Sequence, residues 1–274
     1  MNGASREALA TARQQLDALT DNTSVDAARL AEELAAVTAL LDREVRLRRI
    51  LTDPARSGEA KAELIGGLLG GRVGGEVTDL VSGMVRSRWS RPRDLVDAVE
   101  ELADSADLIA AYRDGNLGDV EDELFRFGRI VASSTELRAV LSGKAGDAAF
   151  KDAQTALLHR LLGGRAKPAT ERLVVRLVAH PRGRSLESGL EALSKLAAER
   201  RNRSVAVVTS AVPLSDGQRE RLGAALTRLY GREVHLNLDV DPEVLGGITV
   251  RIGDDVINGS VAARLEEVER RMAG

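Results

Sequence analysis

The segment DPEVLGGITVRIGDDVINGSVAARL, residues 241–265, sets the strongest local constraints on the fold. A Gly-Gly pair at 246–247 opens a run, residues 248–252, in which apolar and polar side chains alternate as they do in a strand with one covered face. A Gly-Asp-Asp turn at 253–255 and an Asn-Gly turn at 258–259 bracket a second, shorter strand. We therefore predict a β-hairpin that leads into a helix, with glycines that meet backbone demands and carry no chemistry.

The residues before this hairpin extend the same small domain. The run SVAVVTSAV (204–212) is β-branched and apolar on both faces, as in a strand covered on both sides. Ser215 and Gln218 form a capping box at the start of a helix. EVHLNLDV (233–240) alternates between apolar and polar residues and predicts another strand. Residues 204–274 are thus expected to form a small α/β domain.

The chain before Arg203 is helical in pattern. Apolar residues recur at i, i+4, i+7, i+11 and i+15 along one helix face: Leu30, Leu34, Val37, Leu41 and Val45. Asp53-Pro54 predicts a helix end, because a residue before proline avoids the α region.

This helical region contains similar blocks in the same order, about 90 residues apart. They are LRRIL (47–51) with LRAVL (137–141), LVSGMV (80–85) with LVVRLV (173–178), and 93–106 with 184–197. Chance similarity among leucine-rich helices is the alternative. We predict a mainly α chain with two successive helical bundles, residues 1–110 and 111–203, followed by the sheet-and-helix domain at 204–274.

Composition narrows the class of function. The formal charge is −3 and aromatic residues make up 2%, which argues against a general nucleic-acid binder. The chain has no cysteine, so disulfides and thiolate metal sites are excluded. No apolar run is long enough to cross a membrane, and the N-terminal segment lacks the pattern of a signal peptide. We expect a cytoplasmic protein that reaches a membrane, if at all, through other proteins.

Few residues suggest chemistry. His159, His180 and His235 lie in three different segments, which does not favour a metal site, and we expect neither a metal nor a cofactor. A basic stretch around Trp89 could contact nucleic acid, but a solvated loop or an edge that faces an acidic partner fits the acidic total better.

The C-terminal segment resembles the signature of the delta subunit of F-type ATP synthases, whose mitochondrial counterpart is the oligomycin-sensitivity-conferring protein. The matching positions are Asp241, Pro242, Leu245, Gly246, Gly247, Val250, Ile252, Gly253, Asp254, Gly259, Ser260, Arg264 and Leu265. Asn258 stands where the family usually has aspartate, and both residues suit a turn. Residues 208–226 and 47–61 also resemble the family, although family members usually have a single bundle.

This resemblance implies a non-catalytic stator subunit without a cofactor. Its helical part would bind the amphipathic N-terminal helices of alpha subunits, and its C-terminal part would bind the b subunits of the peripheral stalk. The chain would sit on the cytoplasmic face of the cell membrane, held only through the complex. The alternatives are a helical scaffold outside any synthase, which needs no strand-rich terminus, and a nucleotide enzyme, which needs a glycine-rich loop after the first strand.

Overall fold

The computed structural model describes residues 1–21, 24–143, 148–202, 204–230, 234–241, 247–252 and 255–258. These residues form a mainly helical protein with a small sheet, which confirms the predicted fold class. The chain divides into two compact units, Met1–Arg200 and Arg201–Gly274. We call them the helical unit and the C-terminal unit.

The described residues of the helical unit form eleven α-helices, and the last helix extends slightly past the end of the unit. They are α1 Gly3–Asp21, α2 Ala27–Arg43, α3 Val45–Leu51, α4 Gly58–Leu69, α5 Gly75–Arg86, α6 Pro92–Arg113, α7 Leu117–Ser133, α8 Thr135–Leu141, α9 Ala148–Leu162, α10 Pro168–Ala179 and α11 Leu186–Asn202.

Local signals account for many of the helix ends. The carboxylate of Asp26 accepts hydrogen bonds from the backbone N–H groups of Ala28 and Arg29, which have no partner inside α2. Helix α3 ends at Leu51, shortly before the Asp-Pro pair that predicts its end.

Helix lengths follow the same order twice. The series α2 to α6 has 17, 7, 12, 12 and 22 residues, and the series α7 to α11 has 17, 7, 15, 12 and 17 residues.

The helical unit buries two separate clusters of apolar side chains. One cluster runs from Ala8 to Ile109 and the other from Leu108 to Ala197. Helix α6 supplies residues to both clusters, so it lies between them. The aliphatic content of these clusters follows from a chain with very few aromatic residues.

The described residues of the C-terminal unit form an α/β arrangement built on four strands. They are β1 Ser204–Ser210, β2 Val234–Val240, β3 Ile248–Ile252 and β4 Asp255–Asn258, with helix α12, Asp216–Tyr230, between β1 and β2. The strand order is β2-β1-β3-β4, with β1 and β2 parallel and the other two pairs antiparallel.

Strand β1 carries the core of this unit. Val208 is fully buried and pairs with Leu238 of β2 on one side and with Val250 of β3 on the other. The predicted capping box is confirmed, because the side chain of Gln218 accepts a hydrogen bond of 2.9 Å from the backbone N–H of Ser215.

Among the described residues, every helix is too short or too polar to span a membrane.

Candidate functional site

An open groove lies between α1 and α5 of the helical unit. Its volume is about 600 Å³. The residues that line it are Gln15, Leu19, Gly75, Glu76, Asp79, Leu80, Gly83 and Arg86. Leu19 and Leu80 supply apolar surface, and the exposed carboxylates of Glu76 and Asp79 supply negative charge. Such a surface suits an amphipathic partner and has no group arranged for catalysis.

Glycine keeps this groove open at position 83. A Cβ atom at Gly83 would lie 3.1 Å from Oε1 of Gln15, which is tighter than an ordinary contact. A larger side chain at this position would therefore displace Gln15 and fill the space between the two helices.

A buried ionic cluster joins α6 to α10. The carboxylate of Asp107 is fully buried and contacts two guanidinium groups, Arg172 at 2.7 Å and Arg176 at 2.6 Å. Arg176, whose side chain is 9% exposed, also reaches Asp104 at 2.5 Å. Since removal of one partner leaves an unpaired buried charge, these contacts fix the two helices to each other.

A second ionic group follows at the start of the segment between α10 and α11. Arg182 is 2% exposed and lies near Asp42, Asp97 and Glu100, at distances of 3.8, 3.5 and 3.1 Å. Arg184 donates to Glu100 at 2.6 Å. Arg182 also has a positive φ of 48°, which is uncommon for a residue with a side chain.

These carboxyl groups have altered acidity because they are buried. Burial raises the pKa of Asp104 to about 7, although the charge of Arg176 acts in the opposite direction. Burial also raises the pKa of Glu100 against the opposing charges of Arg182 and Arg184. Burial and then the charge of Arg182 lower the pKa of His180. The groups are packed between helices, so we interpret them as structural.

In the basic stretch around Trp89, the aromatic ring is part of the packed fold. Trp89 is 8% exposed, and its Nε1 donates a 2.8 Å hydrogen bond to the backbone oxygen of Met84. Arg91 pairs with the buried carboxylate of Asp94. The ring of Trp89 is therefore not free to stack on a base, which removes the main reason for a nucleic-acid site here.

His159 and His180 each lie beside a different carboxylate. His159 lies 2.5 Å from Glu171 at the surface, and His180 lies 3.7 Å from Asp42. In the part of the chain that the structure describes, no three potential ligands among histidine, aspartate and glutamate are grouped for a metal ion.

Four of the thirteen signature positions are described by the structure: Asp241, Gly247, and Val250 and Ile252 of β3. The backbone N–H of Asp241 donates to the oxygen of Ser210 at 3.0 Å, which closes the end of the β1–β2 pair. Gly247 has a φ of 82°, in the region that favours glycine, directly before β3. The other nine lie outside the described residues: Pro242, Leu245, Gly246, Gly253, Asp254, Gly259, Ser260, Arg264 and Leu265.

Apolar side chains are exposed on the C-terminal unit. Val212 and Leu229 are each 67% exposed, Val240 is 45% exposed and Ile257 is 40% exposed. The sequence alone did not identify these residues, because the exposure of an apolar side chain depends on how the strands and the helix pack together.

The chain is similar to known proteins over its full length. The family model described as ATP synthase delta (OSCP) subunit matches residues 105–272. The ATP synthase subunit delta of Streptomyces griseus subsp. griseus is 73% identical over 274 residues, which is 100% of each chain. The ATP synthase subunit delta of Thermobifida fusca is 49% identical, also over 100% of each chain, and that of Frankia alni is 47% identical over 99% of each.

Proposed function

The chain belongs to the ATP synthase delta (OSCP) subunit family, and we propose that its two compact units hold different partners within the synthase. It is a non-catalytic subunit of the stator, or peripheral stalk, of the F-type ATP synthase, where it supports ATP synthesis. The predicted family and the predicted role as a non-enzyme are both confirmed by these matches.

The proposal of two partners is supported by one observation: the helical unit and the C-terminal unit have separate hydrophobic cores. The helical unit has its own buried clusters, and the C-terminal unit has a third around Val208. Two separately packed units on one chain can each bind a different partner, and the linkage raises the effective concentration of the second contact. A stator that carries load between two parts of a complex needs such a double attachment.

We assign the helical unit to the amphipathic N-terminal helices of alpha subunits. Helix-in-groove binding needs apolar surface beside charged rims, and the groove between α1 and α5 supplies both.

We assign the C-terminal unit to the b subunits of the peripheral stalk. Its exposed valine, leucine and isoleucine side chains support this assignment, because apolar side chains that remain exposed on a small domain mark a surface for a partner. The complex would hold the chain at the cytoplasmic face of the cell membrane without a membrane contact of its own.

We further propose that the helical unit contains two copies of one bundle, residues 1–110 and 111–203. A repeated contact supports this. Glu33 accepts a 2.7 Å hydrogen bond from the backbone N–H of Gly74, the residue that precedes α5. Glu123 accepts a 2.9 Å hydrogen bond from the backbone N–H of Lys167, the residue that precedes α10. The two glutamates occupy the same place on α2 and α7, two helices of equal length.

Affinity purification from native membranes tests the assignment of partners. The tagged full-length chain, extracted in a mild detergent, should recover alpha and b subunits, and the isolated chain should hydrolyse no ATP. Recovery of neither subunit, or robust ATP hydrolysis by the isolated chain, would contradict the proposal. A helical scaffold outside the synthase, the alternative function, would recover other helical proteins and leave the synthase behind.

A further inference from the structure

A second cavity of the helical unit lies between α1, α4 and the segment that joins α5 to α6. Its volume is about 670 Å³. It shares no lining residue with the groove between α1 and α5. Its wall is built from four separate parts of the chain, including Thr11 of α1, Thr52 after α3, Lys61 of α4 and Ser90 before α6. The cavity is therefore a product of the tertiary fold, and its wall is rich in polar side chains.

Lys61 supplies this cavity with a buried positive charge. It lies on the core face of α4, beside Ala62 and Ile65, and is only 5% exposed. A lysine at the edge of a core usually extends its ammonium group into water, but this exposure leaves Lys61 little contact with solvent. Within the part of the chain that the structure describes, no carboxylate pairs with the ammonium group and no oxygen accepts a hydrogen bond from it.

The other buried charges of the helical unit have partners. Each of the four carboxylate residues that are buried among the described residues pairs with an arginine. The pairs are Asp94 with Arg91, Glu100 with Arg184, and Asp104 and Asp107 with Arg176. Because a buried charge without a counter-charge is unfavourable, the exception at Lys61 indicates that its counter-charge comes from outside the described chain.

The remaining polar groups of the wall indicate the chemistry of this counter-charge. The hydroxyl groups of Thr11 and Thr52 already donate to backbone oxygens of their own helices, at 3.1 and 2.9 Å. The side chains of Arg88 and Ser90 are exposed and have no partner among the described residues, so they can still donate. Together with Lys61 they offer more N–H and O–H donors than the two oxygens of a carboxylate can use. A phosphate group has three or more acceptor oxygens and suits both lysine and arginine.

We propose that this cavity is a phosphate-binding site, in which Lys61 neutralises a phosphate group and Arg88 and Ser90 hold it from the exposed side. The group belongs to inorganic phosphate or to a nucleoside diphosphate, which present the same oxygens. Glu7 of α1 is the one carboxylate of the described wall, and it is outnumbered by the two basic side chains. A bound phosphate group would link α4 to the segment between α5 and α6 and so stabilise the helical unit. This site does not depend on which subunit each unit of the chain holds.

Calorimetric titration of the full-length chain in phosphate-free buffer tests the site, with inorganic phosphate and ADP as separate probes at equal ionic strength. We expect one saturable site per chain. Lys61→Met keeps the length of the side chain and removes its charge, so it should weaken binding by about tenfold or more, the effect of losing one hydrogen bond to a charged group. Lys151→Met is the matched control, because Lys151 is an exposed lysine of α9, and it should bind like the parent.

Two further variants keep the test independent of the fold of the core. Arg88→Gln changes an exposed side chain and should weaken binding in the same direction as Lys61→Met. Glu7→Gln removes the negative charge of the wall and should strengthen binding. Neither variant alters a buried residue, so neither should lower the stability of the unliganded chain.

Stability in urea, followed by the fluorescence of Trp89, distinguishes a binding role of Lys61 from a structural one. Without phosphate, Lys61→Met should be at least as stable as the parent, because it removes a buried charge that has no partner. Phosphate should raise the urea midpoint of the parent and of Lys151→Met, and should leave that of Lys61→Met unchanged. A lysine with a structural role would lose stability on replacement, equally with and without phosphate, and this result would overturn the inference.

The two probes identify the source of the phosphate group. Tighter binding of ADP than of inorganic phosphate would support the site and assign it to a nucleotide, and equal or weaker binding of ADP would support it and assign it to free phosphate. No binding of either probe by the parent, or full binding by both Lys61→Met and Arg88→Gln, would overturn the inference. Either of these failures would leave the proposed binding of alpha and b subunits untouched.

Discussion

Arg176 of α10 and Asp107 of α6 form an ion pair of 2.6 Å in which the carboxylate is fully buried and the arginine side chain is 9% exposed. A pair of this kind has lost most of its hydration on both sides. Its net contribution to stability is small, but removal of one partner is costly because the other charge stays buried without compensation.

Asp107→Asn should therefore destabilise the helical unit by about 3–5 kcal/mol. The single tryptophan, Trp89, is buried between α5 and α6 of the helical unit, so its fluorescence in a urea titration reports the unfolding of this unit. Asp119→Asn is the control, because Asp119 pairs with Lys167 at the surface and its side chain is 59% exposed. The control should change stability by less than about 1 kcal/mol. Equal effects of the two variants would show that the buried cluster does not hold the helices together.

The stability of the helical unit should depend on the charge of Asp104. Its pKa is about 7 in the folded state, above the ordinary value, because the carboxyl is buried. The contribution of Asp104 to the free energy of unfolding is at its full value below the pKa that the group has in the unfolded chain. It is lost as the pH rises through about 7. Glu100 acts in the same direction, since its pKa is also raised. His180 acts in the opposite direction. Because its pKa is lowered in the folded state, stability is lost as the pH falls below the ordinary pKa of histidine.

Asp104→Asn isolates the first of these effects. The amide cannot ionise, so the variant should gain stability relative to the parent as the pH rises from about 5 to about 8. Urea titrations followed by Trp89 fluorescence at several pH values measure the difference. If the free energy of unfolding changed with pH by the same amount in Asp104→Asn and in the parent, the result would contradict a raised pKa at Asp104.

Glu33 and Glu123 make the same kind of contact, so their replacement should lower stability by similar amounts. Glu33→Ala and Glu123→Ala each leave a backbone N–H at the start of a helix without its carboxylate, and each should cost about 1–3 kcal/mol. Glu32→Ala is the control, because Glu32 lies next to Glu33 on α2 but is exposed.

An experimental structure adds a direct check of the duplication: the series α2–α5 should superpose on α7–α10 with the same helix order and directions. A different arrangement would reject the duplication.

Gly247 should be sensitive to any side chain. Its φ of 82° forces an alanine into a left-handed conformation, which costs about 1–2 kcal/mol. Gly247→Ala should therefore loosen the C-terminal unit and weaken b-subunit binding, while the helical unit and its binding of alpha subunits stay unchanged. Hydrogen exchange of β1 and β3 measures the loss.

Gly217→Ala is the control for this prediction, because Gly217 lies in α12 of the same unit with open space at its Cβ position. It should preserve or slightly raise stability. If Gly247→Ala exchanges like the parent and yet loses b binding, then Gly247 lies at the contact surface and its role is not conformational.

The sequence predicted the elements well where the signal is local. The alternation at 248–252 predicted β3, and the Ser215–Gln218 pair predicted the start of α12. The start of α2 was not predicted in the same way. Asp26 is its N-cap, because its carboxylate accepts hydrogen bonds from the backbone N–H groups of Ala28 and Arg29.

The buried ionic cluster and the groove could not be predicted, because both depend on pairs of residues that are distant in sequence. Asp107 and Arg176 look like ordinary surface charges of two amphipathic helices, and only the packing of α6 against α10 buries them. The groove likewise depends on how α1 meets α5, where Gly83 faces Gln15. The repeated blocks predict two successive bundles, and this division stays a prediction.

The account's central claim is that this chain joins the catalytic head to the membrane part of the synthase, and proton pumping tests it most directly. Inverted membrane vesicles are depleted of the chain, and ATP hydrolysis and ATP-driven acidification are then measured with and without the purified full-length protein. We expect hydrolysis without acidification in depleted vesicles. Addition of the parent chain should restore acidification, and so should Gly67→Arg, which changes an exposed glycine of α4 with open space around it. Gly83→Arg, which fills the space between α1 and α5, should not restore it. Full acidification by depleted vesicles, or no recovery when the parent chain is added, would contradict a stator role.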